Sequence, residues 1–345
     1  MNALQIGLAA LALLAACERT QSEQRGYRGL GLVQVRSPAT VAQLEAVNTV
    51  PRPLRKANPN GPLAADEFQN VQVMGDLSRA EFARLMLSIK SWVAPEEGCD
   101  YCHQAPDYAS DAKYTKRVAR EMLRMTRHIN RDWQAHVKGT GVTCYTCHRG
   151  HPVPPKVWNQ AVTMARPTLA YAASPMRLPT PSAADSALPL DALDDFLLRD
   201  KAVAVAGTQA LRSGVGGRSI ADTRSSYALM TVMAESLGVN CTYCHNSRAF
   251  YDWTQSPPQR TQALYGIHMA RDLNKASLQP LAGLLPPERL GPAGDVPKVY
   301  CATCHMGSGK PLNGVPMVRD FPELVGSKQQ WAEAAALAAS VARPQ

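Results

Sequence analysis

"GVTCYTCHRG", residues 141–150, places two cysteines three positions apart, with a histidine directly after the second. The spacing keeps Cys144 and Cys147 on about one helical turn, and His148 follows on the same turn. The same pattern recurs as Cys99-Asp-Tyr-Cys102-His103, Cys241-Thr-Tyr-Cys244-His245 and Cys301-Ala-Thr-Cys304-His305. Of the 9 cysteines only Cys17 lies outside these motifs. A structural zinc site also uses paired cysteines, but it has no reason to demand a histidine after every pair. Disulfide redox motifs do not repeat in this way either. Four haem c attachment sites account for each residue: two thiols for thioether bonds to the porphyrin, and an imidazole for the iron.

The motifs come in two pairs. Motifs one and two lie about 45 residues apart and motifs three and four about 60, with roughly 93 between the middle pair. "GVTCYTCH" in the first half reads "GVNCTYCH" in the second, and "TRHINRDW" is echoed by "ARDLNKAS". The spacing predicts a mainly α fold with long irregular connections, a multihaem cytochrome c built from two pseudo-repeated dihaem halves. The first half covers 68–150 and the second 191–310, joined by a Pro-rich connection at 151–190. An N-terminal extended segment at 17–67 and a C-terminal segment at 311–345 flank them, the latter ending in a short Ala-rich helix at 328–341.

Helices are expected before the first three motifs. Ser78-Arg-Ala-Glu81 forms a capping box, and Phe82, Leu85, Met86 and Ile89 follow on one face. The second helix carries Tyr114, Val118, Met122, Met125 and Ile129 on one face. The third carries Leu229, Met230, Met233 and Leu237, with Gly238 placed to stop it. Residues 261–274 form a fourth candidate helix, and "GLGLVQV" near the N-terminus is a candidate strand.

A low-spin electron-transfer haem needs a sixth ligand, usually Met or His. Methionines on apolar helical faces ordinarily pack, but a helix feeding a haem motif can fold back over the other haem face. Met86 lies 17 residues before His103, Met230 lies 15 before His245, and Met122 lies 26 before His148. Met125 and Met233 are rivals one turn further on, and spacing does not choose between them. The fourth motif differs, since neither Met nor His occurs between Ala270 and Tyr300. Its partner comes from Met269, His268 or a distant residue, with His128, His136 and His151 free, so His136 is one candidate.

The formal charge of +9 and pI near 9.1 raise the question of nucleic-acid binding. Lys and Arg are scattered, no recognition motif occurs, and the propionates of four haems would cancel roughly 8 of those charges. At the N-terminus an apolar run from Ala3 to Ala16 is too short for a comfortable transmembrane helix and suits a signal segment at 1–16. It ends in Leu14-Ala15-Ala16-Cys17, which resembles a bacterial lipoprotein box with Cys17 as the lipidated residue, although its start lacks Lys and Arg. A lipid anchor, a retained hydrophobic anchor or an ordinary signal all imply export, and either anchor tethers the chain to a membrane.

These residues resemble one family, the tetrahaem cytochrome c subunits of bacterial photosynthetic reaction centres. The likeness runs through "RGYRGLGLVQV", "EFARLMLSIKSWVAPEEGCDYCH", "REMLRMTRHINRDWQAHVKGTGVTCYTCHRG", "YALMTVMAESLGVNCTYCHN", "PPQRTQALYGIHMARDLN" and "CATCHMGSGKPLNG". The resemblance implies that Met86 pairs with His103, Met122 with His148 and Met230 with His245, while His305 pairs with His136. It returns Met125 and Met233 to packing, and it carries over Arg260 more weakly as a cation near a haem propionate.

What the resemblance implies is an electron-transfer subunit and not an enzyme. It would sit on the periplasmic face of the photosynthetic membrane and re-reduce the photo-oxidised bacteriochlorophyll pair of the reaction centre core. A soluble cytochrome c or high-potential iron–sulfur protein would supply the electrons. The rivals are a periplasmic multihaem oxidoreductase, which needs an open distal site, and a respiratory carrier with another docking partner.

Overall fold

A computed structural model describes residues 19–25, 31–160, 188–189, 192–204 and 219–327. The signal-like segment with Cys17, positions 161–187 of the Pro-rich connection and the Ala-rich stretch at 328–341 lie outside the described residues. In chain order, strands β1 (Gln21–Arg25) and β2 (Leu32–Arg36) precede helices α1 (Pro38–Val47), α2 (Ala64–Glu67), α3 (Arg79–Val93) and α4 (Tyr114–Asp132). Then come α5 (Gln134–Val137), α6 (Cys144–His148), α7 (Ala192–Leu197), α8 (Ile220–Leu237), α9 (Gln259–Asp272) and α10 (Cys301–His305). The described part is mainly helical, and none of its helices is long and apolar enough to cross a membrane.

Local chemistry sets the helix ends. Ser78 Oγ accepts from the Glu81 amide at 3.2 Å, and the Ser78 amide donates to Glu81 Oε2 at 2.8 Å, which completes the expected capping box of α3. Ser219 and Asp222 do the same for α8. Gly238 ends α8 in a left-handed conformation, φ 61°. A Cβ there would also stand 2.2 Å from the Gly307 carbonyl oxygen, so the helix end and the fourth motif meet at a glycine. The candidate helix at 261–274 is α9, which widens into a π-helical turn over Leu273–Leu278.

Two large apolar clusters form the cores. One gathers Leu85 of α3, Trp92 and Leu123 with Leu312, Val318, Phe321 and Leu324. The other joins Phe196 and Leu197 to Leu229, Val232 and Met233 of α8, Ile267, Tyr300 and Trp158. The C-terminal segment thus returns to the first half. Trp92 and Phe321 meet edge to face at 4.5 Å, and Arg84 Nη1 donates to the Asp320 carbonyl at 2.9 Å.

The N-terminal hairpin goes the other way. The strands β1 and β2 pair antiparallel with Gln21 opposite Arg36. The Leu32 amide then donates to Thr242 Oγ1 at 3.1 Å, and Asn240 Nδ2 donates to the Leu32 carbonyl at 3.0 Å. The hairpin therefore lies along the third motif, and the strand expected in "GLGLVQV" occupies Leu32–Arg36.

Candidate haem sites

The four motifs fold into single turns of two kinds. Motifs two and four are the short helices α6 and α10, each followed by a left-handed residue: Arg149 (φ 52°) and Met306 (φ 44°). Motifs one and three form tighter 3₁₀ turns over Gly98–Tyr101 and Cys241–Tyr243. There the motif histidine closes the turn, with the His103 amide 2.9 Å from the Cys99 carbonyl and the His245 amide 3.0 Å from that of Cys241. In every case both thiols and the imidazole sit on one turn. Cys99 and Cys241 are exposed, whereas all four cysteines of motifs two and four are half-buried.

Each motif histidine is oriented by its own backbone. Nδ1 lies 3.0 Å from the Tyr108 carbonyl in His103 and 2.8 Å from the His151 carbonyl in His148. It lies 3.0 Å from the Phe250 carbonyl in His245 and 2.9 Å from the Ser308 carbonyl in His305. A carbonyl only accepts, so Nδ1 carries the proton and Nε2 keeps its lone pair for a metal. Burial lowers the pKa of His148 and His245 and takes His305 down to about 4. Neutral imidazoles are what an iron needs.

His136 shares that preparation. It sits on α5, its Nδ1 donates to the Gln262 carbonyl of α9 at 2.8 Å, and burial lowers its pKa. Its ring centroid is 6.1 Å from that of His305, at 64° between planes. A metal held between two imidazole nitrogens at about 2 Å each puts the ring centroids roughly 6 Å apart. His136 and His305 are placed so that they could hold one haem iron between them. The other candidates are placed elsewhere: His268 is exposed, and His128 spends both nitrogens on Asp132 and Asp272. His151 is exposed and lends its carbonyl to His148.

The motifs also have neighbours. Helix α3, which leads into motif one, packs on α6, and α8, which leads into motif three, packs on α10. Helices α6 and α10 touch, with Cys147 Sγ and Cys304 Sγ 2.8 Å apart. Motifs two and four are therefore central, with one and three on either side.

The model of the family described as photosynthetic reaction centre cytochrome C subunit matches residues 17–325. The chain belongs to that family. Three relatives named as photosynthetic reaction center cytochrome c subunits are similar along most of their length. That of Rubrivivax gelatinosus is 44% identical over 94% of this chain and 89% of its own. Those of Thermochromatium tepidum and Roseobacter denitrificans are 43% and 40% identical, over 90% and 92% of this chain and 77% and 89% of theirs. Membership brings covalently bound c-type haem and the electron-transfer role in the reaction centre that the sequence anticipated.

Within this family member the methionines fall where their helices put them. Met86 and Met230 lie half-buried at the edges of the two large clusters, whereas Met233 is buried inside one. Met122 and Met125 are both half-buried along α4, against Leu278 and Val296. Arg260 stacks its guanidinium 4.0 Å over the Trp253 ring and donates to Ser256 Oγ at 2.8 Å. The residue that sequence reasoning passed over is Arg149, whose Nη2 reaches the Cys304 carbonyl at 3.2 Å. Its only sequence signal is its position directly after a haem motif.

Proposed function

We propose that this chain carries four haem c groups in two pseudo-repeated dihaem halves. Held on the periplasmic face of the photosynthetic membrane, it passes electrons from a soluble periplasmic donor to the bacteriochlorophyll pair of the reaction centre core. The observation that carries this reading is the common preparation of five imidazoles, each with Nδ1 donated to a backbone carbonyl. Bound haem iron supplies one-electron chemistry at each site. Met86, Met122 and Met230 are assigned as partners of His103, His148 and His245, and His136 as partner of His305.

Paired details support the two halves. His103 and His245 each bond the carbonyl five residues on, while His148 and His305 each bond the one three residues on. Gly150 donates to the Trp92 carbonyl near the end of α3, and Gly307 to that of Ser236 near the end of α8, both at 2.8 Å. Asn130 Oδ1 accepts from the Val142 amide at 2.7 Å, and Asn274 Oδ1 from that of Val299 at 2.9 Å. The two asparagines are the matching residues of "TRHINRDW" and "ARDLNKAS".

The placement of the N-terminal hairpin favours one orientation. Leu32, Val33 and Val35 of the hairpin are exposed, and so are Phe250, Tyr251 and Trp253 beyond motif three. The hairpin lies against motif three through Thr242 and Asn240, and Cys17, the assigned lipid anchor, lies just ahead of the hairpin. Motif three then faces the membrane core and motif one the periplasm, where a cytochrome c or high-potential iron–sulfur protein would dock.

The test is purification of the native chain from photosynthetic membranes. Four haems per chain and co-purification with the bacteriochlorophyll-carrying subunits are the expected results. A chain that purifies with respiratory partners and no pigment would overturn the proposal.

A further inference from the structure

Arg149 adopts a left-handed backbone conformation (φ 52°) that glycine or asparagine takes up far more readily. Met306, its counterpart after motif four, has the same backbone conformation (φ 44°) and an apolar, buried side chain. The difference between the two positions is a charge.

The guanidinium is held entirely by neutral oxygens. Nε donates to the Thr146 carbonyl at 3.1 Å and Nη1 to the Val47 carbonyl at 2.7 Å. Nη2 donates to the Cys304 carbonyl at 3.2 Å and to Asn48 Oδ1 at 3.4 Å. No carboxylate among the described residues pairs with it, although other shielded cations have one: Arg84 with Glu323 at 3.9 Å, Arg127 with Asp76 at 3.7 Å, Lys116 with Asp111 at 3.5 Å. An arginine stays protonated under all working conditions. The result is a fixed positive charge, pinned on one side beside Cys147 and on the other to Cys304.

We propose that Arg149 is a positioning charge that raises the reduction potentials of the haem sites of motifs two and four together. Cys147 Sγ and Cys304 Sγ are 2.8 Å apart, so the attachment points of both groups lie next to the same guanidinium. Losing an electron adds a positive charge to a haem, and a nearby cation in a partly desolvated setting opposes that step. Both sites are therefore easier to reduce than they would be with Met at this position. The proposal rests on the four-haem reading above.

The competing role is mechanical: Arg149 also binds the Val47 carbonyl at the end of α1 and ties α6 to α10. Redox titration of the purified holo-protein separates the two, after haem has been counted per chain. A native chain with fewer than four haems would sink the four-haem reading itself, before any variant is compared. Arg149→Met and Arg149→Gln remove the charge, and Arg149→Lys keeps it while losing the fork geometry.

Two of the four midpoints should fall in the uncharged variants, with the other two as internal controls. The expected size is a roughly tenfold change in the oxidised-to-reduced ratio at fixed potential, about 59 mV for one electron. Arg149→Lys should stay near wild type. Unmoved midpoints in Arg149→Met, or an equal fall in Arg149→Lys, overturn the proposal. If neither uncharged variant loads four haems while Arg149→Lys does, the charge serves haem loading and not potential, and the proposal is overturned. Failure of every variant to load assigns the residue a mechanical role alone and overturns it too.

Discussion

Gly266 gives the ring of His136 its room: a Cβ at position 266 would stand 2.7 Å from His136 Cε1 and 3.3 Å from Nε2. Helix α9 thus holds His136 twice, through that bare Cα and through the Gln262 carbonyl. Gly266→Ala should push the ring away at an overpacking cost of about 1–3 kcal/mol. In the oxidised holo-protein the electron paramagnetic resonance signal of one haem should change, and one midpoint should move while three stay. An unaltered spectrum would mean that His136 is not an iron ligand.

A ligand exchange tests the same assignment from the other side. Methionine raises the potential of a haem relative to histidine, so His136→Met should lift one midpoint and leave the other three in place. His268 is exposed, and His268→Ala should leave all four where they were. The reverse outcome in a potentiometric titration would move the ligand role to His268.

His128 ties α4 to α9 through protons. Its Nδ1 is 2.7 Å from Asp132 and its Nε2 is 2.6 Å from Asp272, which also accepts from Trp133 Nε1 at 2.8 Å. Burial pulls the His128 pKa down, but the hydrogen bonds to Asp272 and Asp132 outweigh it, and the net shift is upward. Asp132 is itself held down to about 2, chiefly by its hydrogen bond from Arg131, so it stays ionised throughout. A raised folded-state pKa gives stabilisation that is complete below the unfolded value of about 6.5 and is lost as pH climbs through the folded value. The thermal midpoint of His128→Gln should therefore fall below wild type at mildly acid pH and converge on it at alkaline pH. A gap that widens with rising pH would contradict the linkage.

What was legible in the sequence is what local chemistry decides. The cysteine motifs read directly because thioether and imidazole chemistry is confined to five adjacent residues, and the helix ends read because Ser78, Glu81 and Gly238 act on their own backbone. His136 was reached by counting ligands, and the resemblance chose it. The return of Phe321 and Leu324 to the first core was not legible, because the segment after 310 has no helical or strand period to reveal a buried face. Arg149 was invisible for a different reason. Its character lies in having no carboxylate partner among the described residues, which depends on how distant segments fold together.

The parallel between the halves has an energetic consequence. Asn130 and Asn274 are fully buried, and each amide donates to the carbonyl and accepts from the amide of one residue, Val142 at 2.8 and 2.7 Å or Val299 at 3.0 and 2.9 Å. Each also donates to a second segment, Leu324 at 2.9 Å or Leu197 at 3.1 Å. Val142 and Val299 each lie two residues ahead of a motif's first cysteine, so each asparagine fixes the entry of one central motif. Replacing either by Ala strands buried polar groups at about 1–3 kcal/mol each. Asn130→Ala should lower the denaturant midpoint and disturb the haem of motif two first. Asn274→Ala should cost a similar amount and disturb the haem of motif four first, despite the π-helical turn that carries it. Haem-resolved spectra during unfolding check the pairing. Equal damage to both central haems from either variant would show that one clamp serves the whole centre, and the two halves would not be independent repeats of one design.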